Sequence, residues 1–423
     1  MESNRGFRFD YDPPVVRSGS GSVRDLGSEI HDLGHSRALV VTGRTTGDAP
    51  EVIDPVRRGL GDRLAGVFAE TTPEKRLSTA VECAERVAAS GADVLVAVGG
   101  GSSVDLARVA SVVAGSEHPP EALGEHLAAT GTLPVPDDLV PVVVVPTTLA
   151  GAGLSMLAGV TADPASGLVT APAGGGVGGP ALTAALAVYD PELLAATPRE
   201  VLAGSAMNGF DKGVEALYAS TRTPITDATA SRGLRLLAEG LPALGTAPDA
   251  DDLAPVIRGV ILAGYGTSRP SGTSFSVLHA IGHALRVHAD IQLGVAHAAV
   301  APDALTWLFE SVDGRRDLLA DALGAADADA NPADAVVSEV ERLRDALGLP
   351  ARLRAVDGVE REVLEDVAAT AAEGFIGAND APDAGPGPRE SRPTAPGWSG
   401  TPHPPPGLTV STAAVHGVLE SAW

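Results

Sequence analysis

Cysteine, lysine and aromatic side chains are all scarce in this sequence: 423 residues hold one cysteine, Cys83, two lysines, Lys75 and Lys212, and 3% Phe, Trp and Tyr. A lone cysteine excludes an internal disulfide and a cysteine metal cluster, and it fits a reducing compartment. Cations are also few, 30 Lys and Arg against 54 Asp and Glu, for a net charge of -24. Nucleic acid is therefore not an expected partner, because phosphate backbones are held by clustered Lys and Arg. The acidic, lysine-poor composition suits high salt, where screening softens self-repulsion, although an ordinary acidic protein from a GC-rich genome would read the same way. Long apolar runs are missing too. The longest, Leu139 to Val145, is too short to span a bilayer, and the first residues, MESNRGFRFDYDPP, lack the apolar core of a signal peptide. The expectation is a soluble, cytoplasmic protein with no membrane partner.

What is present is enough apolar residue, 44%, to exceed one ordinary core, so two domains are expected. Residues 1–192 alternate strand-like and helix-like segments, the pattern of an α/β nucleotide-binding domain with a parallel sheet. Arg37–Thr42, Asp93–Val98 and Val142–Val145 are β-branched runs that read as buried strands, with helices over Leu77–Ser90 and Val104–Ala114 between them. Residues 193–423 carry 3.6-residue spacing and read as an all-α catalytic domain. A proline-rich insertion at Asn379–Gly407 interrupts it, and helical spacing resumes over Val410–Ala422. The Gly-rich stretch Ala171–Leu182 has no following Lys-Ser/Thr and reads as a flexible surface loop rather than a P-loop.

Three constellations carry chemistry. Strand Asp93–Val98 runs into Gly99-Gly100-Gly101-Ser102-Ser103, and Asp105 follows in the opening turn of a helix. Glycines there let backbone approach a ligand, and a helix N-terminus attracts an anion such as a pyrophosphate, although a tight structural turn would use the same residues. The run is not G-x-G-x-x-G, because Val104 stands at the third glycine position. Pro146-Thr147-Thr148 ends another strand on the same sheet edge, where its hydroxyls either reach a nucleotide or cap the next turn. Finally, His279 and His283 stand at i,i+4, with His288 and His297 close behind, a spacing for metal ligation, for paired proton work or for a core-satisfied cluster.

In this order, GGGS-x-x-D, P-T-T and H-x-x-x-H resemble the iron-containing (group III) alcohol dehydrogenase family. The segments Ala206–Ala219, Tyr189–Leu193 and Thr223–Asp227 extend the match to roughly residues 15–378. The resemblance implies a dehydroquinate synthase-like fold, a homodimer, a small-molecule substrate and an NAD or NADP cofactor bound by Gly43, Gly99, Gly100, Gly101, Ser102, Asp105, Thr147 and Thr148. It also implies a metal held at four positions, which here read Asn208, Lys212, His279 and Leu293. One good ligand of four should not hold a divalent metal. A register using Asp211 and Glu215 would restore two carboxylates.

Asn208, the run Glu215-Ala216-Leu217-Tyr218-Ala219 and His297 look like the maleylacetate reductase branch, whose members reduce an unsaturated oxo-diacid. That resemblance implies a catalytic set of His279, His283, His297, Lys212 and Asn208, with His283 as proton donor and Lys212 neutralising a carboxylate or an enolate. A glycine, Gly153, replaces the glutamate expected in the P-T-T loop, and the lysine expected near Gly167–Val169 is absent. At the end of the Arg37–Thr42 strand, Gly43-Arg44 replaces an acidic residue, so NADPH should be tolerated or preferred. The competing readings are a metal-dependent alcohol, polyol or aldehyde dehydrogenase, a dehydroquinate synthase-like lyase and a non-catalytic family member.

Overall fold

The structure is a computed structural model and describes residues 6–327, 331–375 and 402–423. The proline-rich insertion falls outside the described residues up to position 401. The first half carries strands β1 (Val15–Ser18), β2 (Ala38–Gly43), β3 (Leu64–Thr71), β4 (Val94–Gly99), β5 (Val142–Pro146), β6 (Leu157–Ala162), β7 (Ala173–Gly178) and β8 (Leu186–Tyr189). All but β6 and β7 join one parallel sheet in the order β1-β8-β5-β4-β2-β3. The valine-rich runs are continuous because both sheet faces are covered. Leu39, Val41, Leu95, Ala97, Val142 and Val144 pack on one side, under helices α1 (Leu77–Ser90) and α2 (Gly101–Gly115). The alternate residues Ala38, Val40, Val94, Val96, Val98, Val143 and Val145 pack on the other.

The chain passes from β2 outward to β3, then crosses back over β2 to β4 and on to β5. The direction of winding therefore reverses between β2 and β4, and a crevice opens there beyond the carboxyl ends of the strands. Gly43, Gly99 and Pro146 all end strands at that edge.

One sequence reading is overturned. The Gly-rich stretch is not a surface loop: Ala173–Gly178 is β7, antiparallel to β6, with Gly174 to Gly178 in register against Thr161 to Leu157. Its composition reflects contact. A Cβ on Gly175 would lie 1.8 Å from the carbonyl oxygen of Gly131, and the same carbonyl accepts the Gly176 N–H at 3.0 Å. Only a strand without side chains at that point can press so close.

From Arg199 onward the described residues are mostly helical, with one short ribbon pairing Ser268–Arg269 with Gly272–Thr273. Three helices matter for the site: α3 (Arg199–Tyr218), α4 (Val277–Ala289) and α5 (Leu293–Ser311). Their apolar faces share one core with Leu149, Ala187 and Tyr189 of the sheet half, so the helices are packed onto the strand ends rather than tethered beside them. Among the described residues, no helix is long and apolar enough to cross a membrane.

Candidate active site

One wall of the crevice is built from the ends of β4 and β5. Gly99 has φ +142°, a conformation open to glycine, and its carbonyl accepts the Thr147 N–H at 3.0 Å, which locks the two turns together. A Cβ on Gly100 would come 3.1 Å from the methyl of Thr148. The helix that starts at Gly101 is fifteen residues long, and no side chain caps its first turn. These features fit an anionic diphosphate laid against the helix start.

Behind this wall the fully buried Arg108 donates to the carbonyls of Leu182, Ala152 and Leu157 at 3.0 to 3.2 Å, and to that of Ser155. Burial pushes its guanidinium down to about 10, so it stays charged at neutral pH and clamps the chain that follows the Thr147-Thr148 turn. Asp105, expected to meet cofactor, is engaged by protein: one carboxylate oxygen takes the Lys75 ammonium at 2.6 Å and the Gly159 N–H at 3.1 Å. Lys75 reaches it from a backbone held at φ +55°.

The opposite wall comes from the helices. Glu215, fully buried on α3, accepts the backbone N–H groups of Ser276, Leu278 and His279 at 2.9, 2.7 and 3.1 Å. It thus serves as the N-terminal cap of α4, supplied from another helix. Its second oxygen also meets His279 Nδ1 at 2.6 Å, while His279 Nε2 lies 3.1 Å from the Asn208 side-chain oxygen. Both imidazole nitrogens of His279 are therefore committed, and Phe275 stacks on the ring at 4.6 Å. Burial pushes the Glu215 carboxyl up to about 7 against the pull of its donors.

One turn earlier on α3, Asp211 forms a second carboxylate–imidazole pair, with His297 of α5 at 3.0 Å. Neither side chain makes another hydrogen bond among the described residues, although both are fully buried. His297 sits edge-on to His279, ring centroids 4.7 Å apart, and a Cβ on Gly282 would lie 2.3 Å from the His297 ring. That missing side chain lets α4 and α5 close over the buried pair.

Lys212 projects from α3 toward the sheet half, where Nζ donates to the Ala150 carbonyl at 2.8 Å and lies 5.7 Å from the centre of the Phe275 ring. Burial pushes its ammonium down to about 8, with Asp105 opposing the shift. His283 is one turn beyond His279, ring centroids 6.5 Å apart. Burial first, and then the field of His279 and Lys75, hold it well below the ordinary imidazole range, so it is neutral at pH 7. The proton-donor role expected of His283 would therefore draw on a ring that is mostly neutral at working pH.

Of the four clustered histidines, His279, His283 and His297 are brought together. His288 faces away and meets Thr370 at 2.8 Å. At the positions implied for a metal stand an amide, an ammonium bound to a carbonyl, an imidazole with both nitrogens committed, and Leu293. This donor set does not fit a divalent cation. Among the described residues no group of three or more His, Cys, Asp or Glu side chains is arranged to hold a metal ion. Reading by motif missed Lys75 and Arg108; the signal for Lys75 was its rarity. Asp211 and Glu215, the alternative ligand register, each lie beside a histidine.

Comparison with known proteins bears directly on this geometry. Residues 13–191 match the model of iron-containing alcohol dehydrogenases, and residues 202–383 match the C-terminal model of the same family. The maleylacetate reductase of Sphingobium indicum is 31% identical over 76% of this chain and 81% of its own. The chain belongs to the iron-containing alcohol dehydrogenase family. It is also similar to the NAD-dependent methanol dehydrogenase of Bacillus methanolicus, 26% identical over 85% of this chain and 92% of that one. In fold it resembles the sulfoacetaldehyde reductase of Bifidobacterium kashiwanohense, solved in complex with NAD+, with a TM-score of 0.77, 18% identity and 99% coverage of both chains. This family member is an NAD(P)-dependent oxidoreductase.

Proposed function

We propose that the enzyme reduces a small oxo-acid or unsaturated oxo-acid, as its maleylacetate reductase relatives are named for doing, and that it does so without a catalytic metal. A reduced nicotinamide supplies the hydride. The observation that carries the reading is Lys212: a cation anchored on the Ala150 carbonyl at 2.8 Å, at a position where the family resemblance implies a metal ligand. Like a metal, an ammonium in a water-poor site stabilises negative charge developing on oxygen. Unlike most metals, it also carries a proton to give away.

For an unsaturated oxo-acid, the hydride forms a C–H bond at the alkene carbon β to the oxo group. The alkene π bond breaks, and the electron pair comes to rest on the oxo oxygen as an enolate. Lys212 pairs with that oxygen and transfers its proton to it; the enol then relaxes to the ketone and Lys212 regains a proton from water. For a simple oxo-acid the same transfer quenches an alkoxide. With its ammonium near 8, Lys212 is charged at neutral pH yet acidic enough to donate. His283, neutral, hydrogen-bonds the substrate, while Asn208 and Glu215 hold the His279 ring in place.

The test is a substrate panel: NADH consumption with maleylacetate and with simple 3-oxo-acids, against NAD+ reduction with methanol, ethanol and propane-1,3-diol. Turnover on the acids with little on the alcohols is expected. Efficient alcohol oxidation with no turnover of the acids would replace this reading by a dehydrogenase.

A further inference from the structure

The outer end of the cofactor crevice carries an ion pair that sequence reading did not foresee. Arg44 opens a short helix, Arg44–Gly47, at the carboxyl end of β2. In the neighbouring parallel strand Thr71 is opposite Gly43, which brings Glu70 to the same edge. A Cβ on Gly47 would lie 2.9 Å from that of Ala69, so the short helix rests directly on the end of β3. The Arg44 guanidinium meets the Glu70 carboxylate at 2.5 Å, and both side chains are solvent-exposed. Asp48 adds a second negative charge to the field at Arg44. The expectation that Arg44 faces a 2′-phosphate with no carboxylate nearby is therefore corrected: one cation stands among two anions.

We propose that the Arg44–Glu70 pair reads the 2′ position of the cofactor's adenosine ribose and sets a preference for NADH over NADPH, an inference that rests on the nicotinamide-binding reading of the crevice. With the diphosphate against the start of α2 at the end of β4, the adenosine half extends across the end of β2 toward β3. Its ribose then lies over Arg44 and Glu70. A carboxylate accepts a hydrogen bond from a 2′-hydroxyl, whereas a 2′-phosphate meets the repulsion of Glu70 and Asp48 and must compete with Glu70 for Arg44. Because the pair is exposed, it is a weak tie for the fold, and its variants should remain folded.

The test is fluorescence titration of NADH and NADPH into the full chain and into the Glu70→Gln and Arg44→Gln variants at one fixed salt concentration. The wild type is expected to bind NADH about tenfold more tightly than NADPH, the scale of one charge-assisted hydrogen bond. Glu70→Gln should release Arg44 and narrow or reverse that ratio by about tenfold. Arg44→Gln should leave NADH nearly unchanged and weaken NADPH further. A ratio unmoved by both variants, or a wild type that prefers NADPH, overturns the inference while leaving the cofactor reading intact. A wild type that binds neither nucleotide overturns both.

Discussion

Replacing Lys212 by methionine is expected to lower kcat by about 10²- to 10³-fold, the loss seen when a single donor to a developing oxyanion is removed. Methionine replaces most of the apolar stem of lysine, so packing near Phe275 survives while the contact to Ala150 and the proton are lost. The Kd of NADH should move little, because Lys212 lies on the helical wall and not at the Gly99–Gly101 turn; the effect falls on the chemical step. The pH profile separates this account from a structural one. Burial brings the ammonium from 10.5 down to about 8, so the charged form is present at neutral pH and is lost as pH rises through 8. The wild-type kcat/KM should therefore fall on the alkaline side of about 8, and the residual rate of Lys212→Met should lack that limb. A variant with unchanged kcat removes the lysine from the mechanism.

Glu215→Ala should be strongly destabilising, by at least about 4 kcal/mol, because three backbone N–H donors and the His279 imidazole lose their acceptor at once and each buried orphan costs about 1–3 kcal/mol. That is a large part of the net stability of a typical domain. Glu215→Gln retains one acceptor oxygen but turns an amide N–H toward other donors, so an intermediate loss is expected. Urea unfolding followed by circular dichroism measures both. A midpoint for Glu215→Ala within error of the wild type would show that α4 is capped in another way.

The two halves of the site were unequally legible in the sequence. The Gly99–Ser102 turn and the Thr147-Thr148 turn are local features: a β-branched run ending in glycine before a helix is visible within ten residues, and the structure joins them by the Thr147 N–H to Gly99 carbonyl bond. The capping role of Glu215 was not legible, because the N–H groups it accepts at Ser276 to His279 lie more than sixty residues away and are backbone groups, which leave no mark on side-chain identity. Glu70 was hidden for a related reason. It belongs to β3, a strand whose register against β2 had to be known before the carboxylate could be placed beside Arg44. The Gly-rich β7 misled in the other direction. Glycine there reflects close backbone approach to Gly131, which composition alone cannot distinguish from a loop.

Lysine as the charge-stabilising and proton-donating group is the central claim, and metal content tests it most directly. Elemental analysis of enzyme purified without chelator, paired with turnover before and after chelator treatment, should find no stoichiometric metal and an unchanged rate. Stoichiometric iron, zinc or nickel whose removal abolishes turnover, and whose return restores it, would contradict the account and give the carbonyl oxygen to a metal rather than to Lys212.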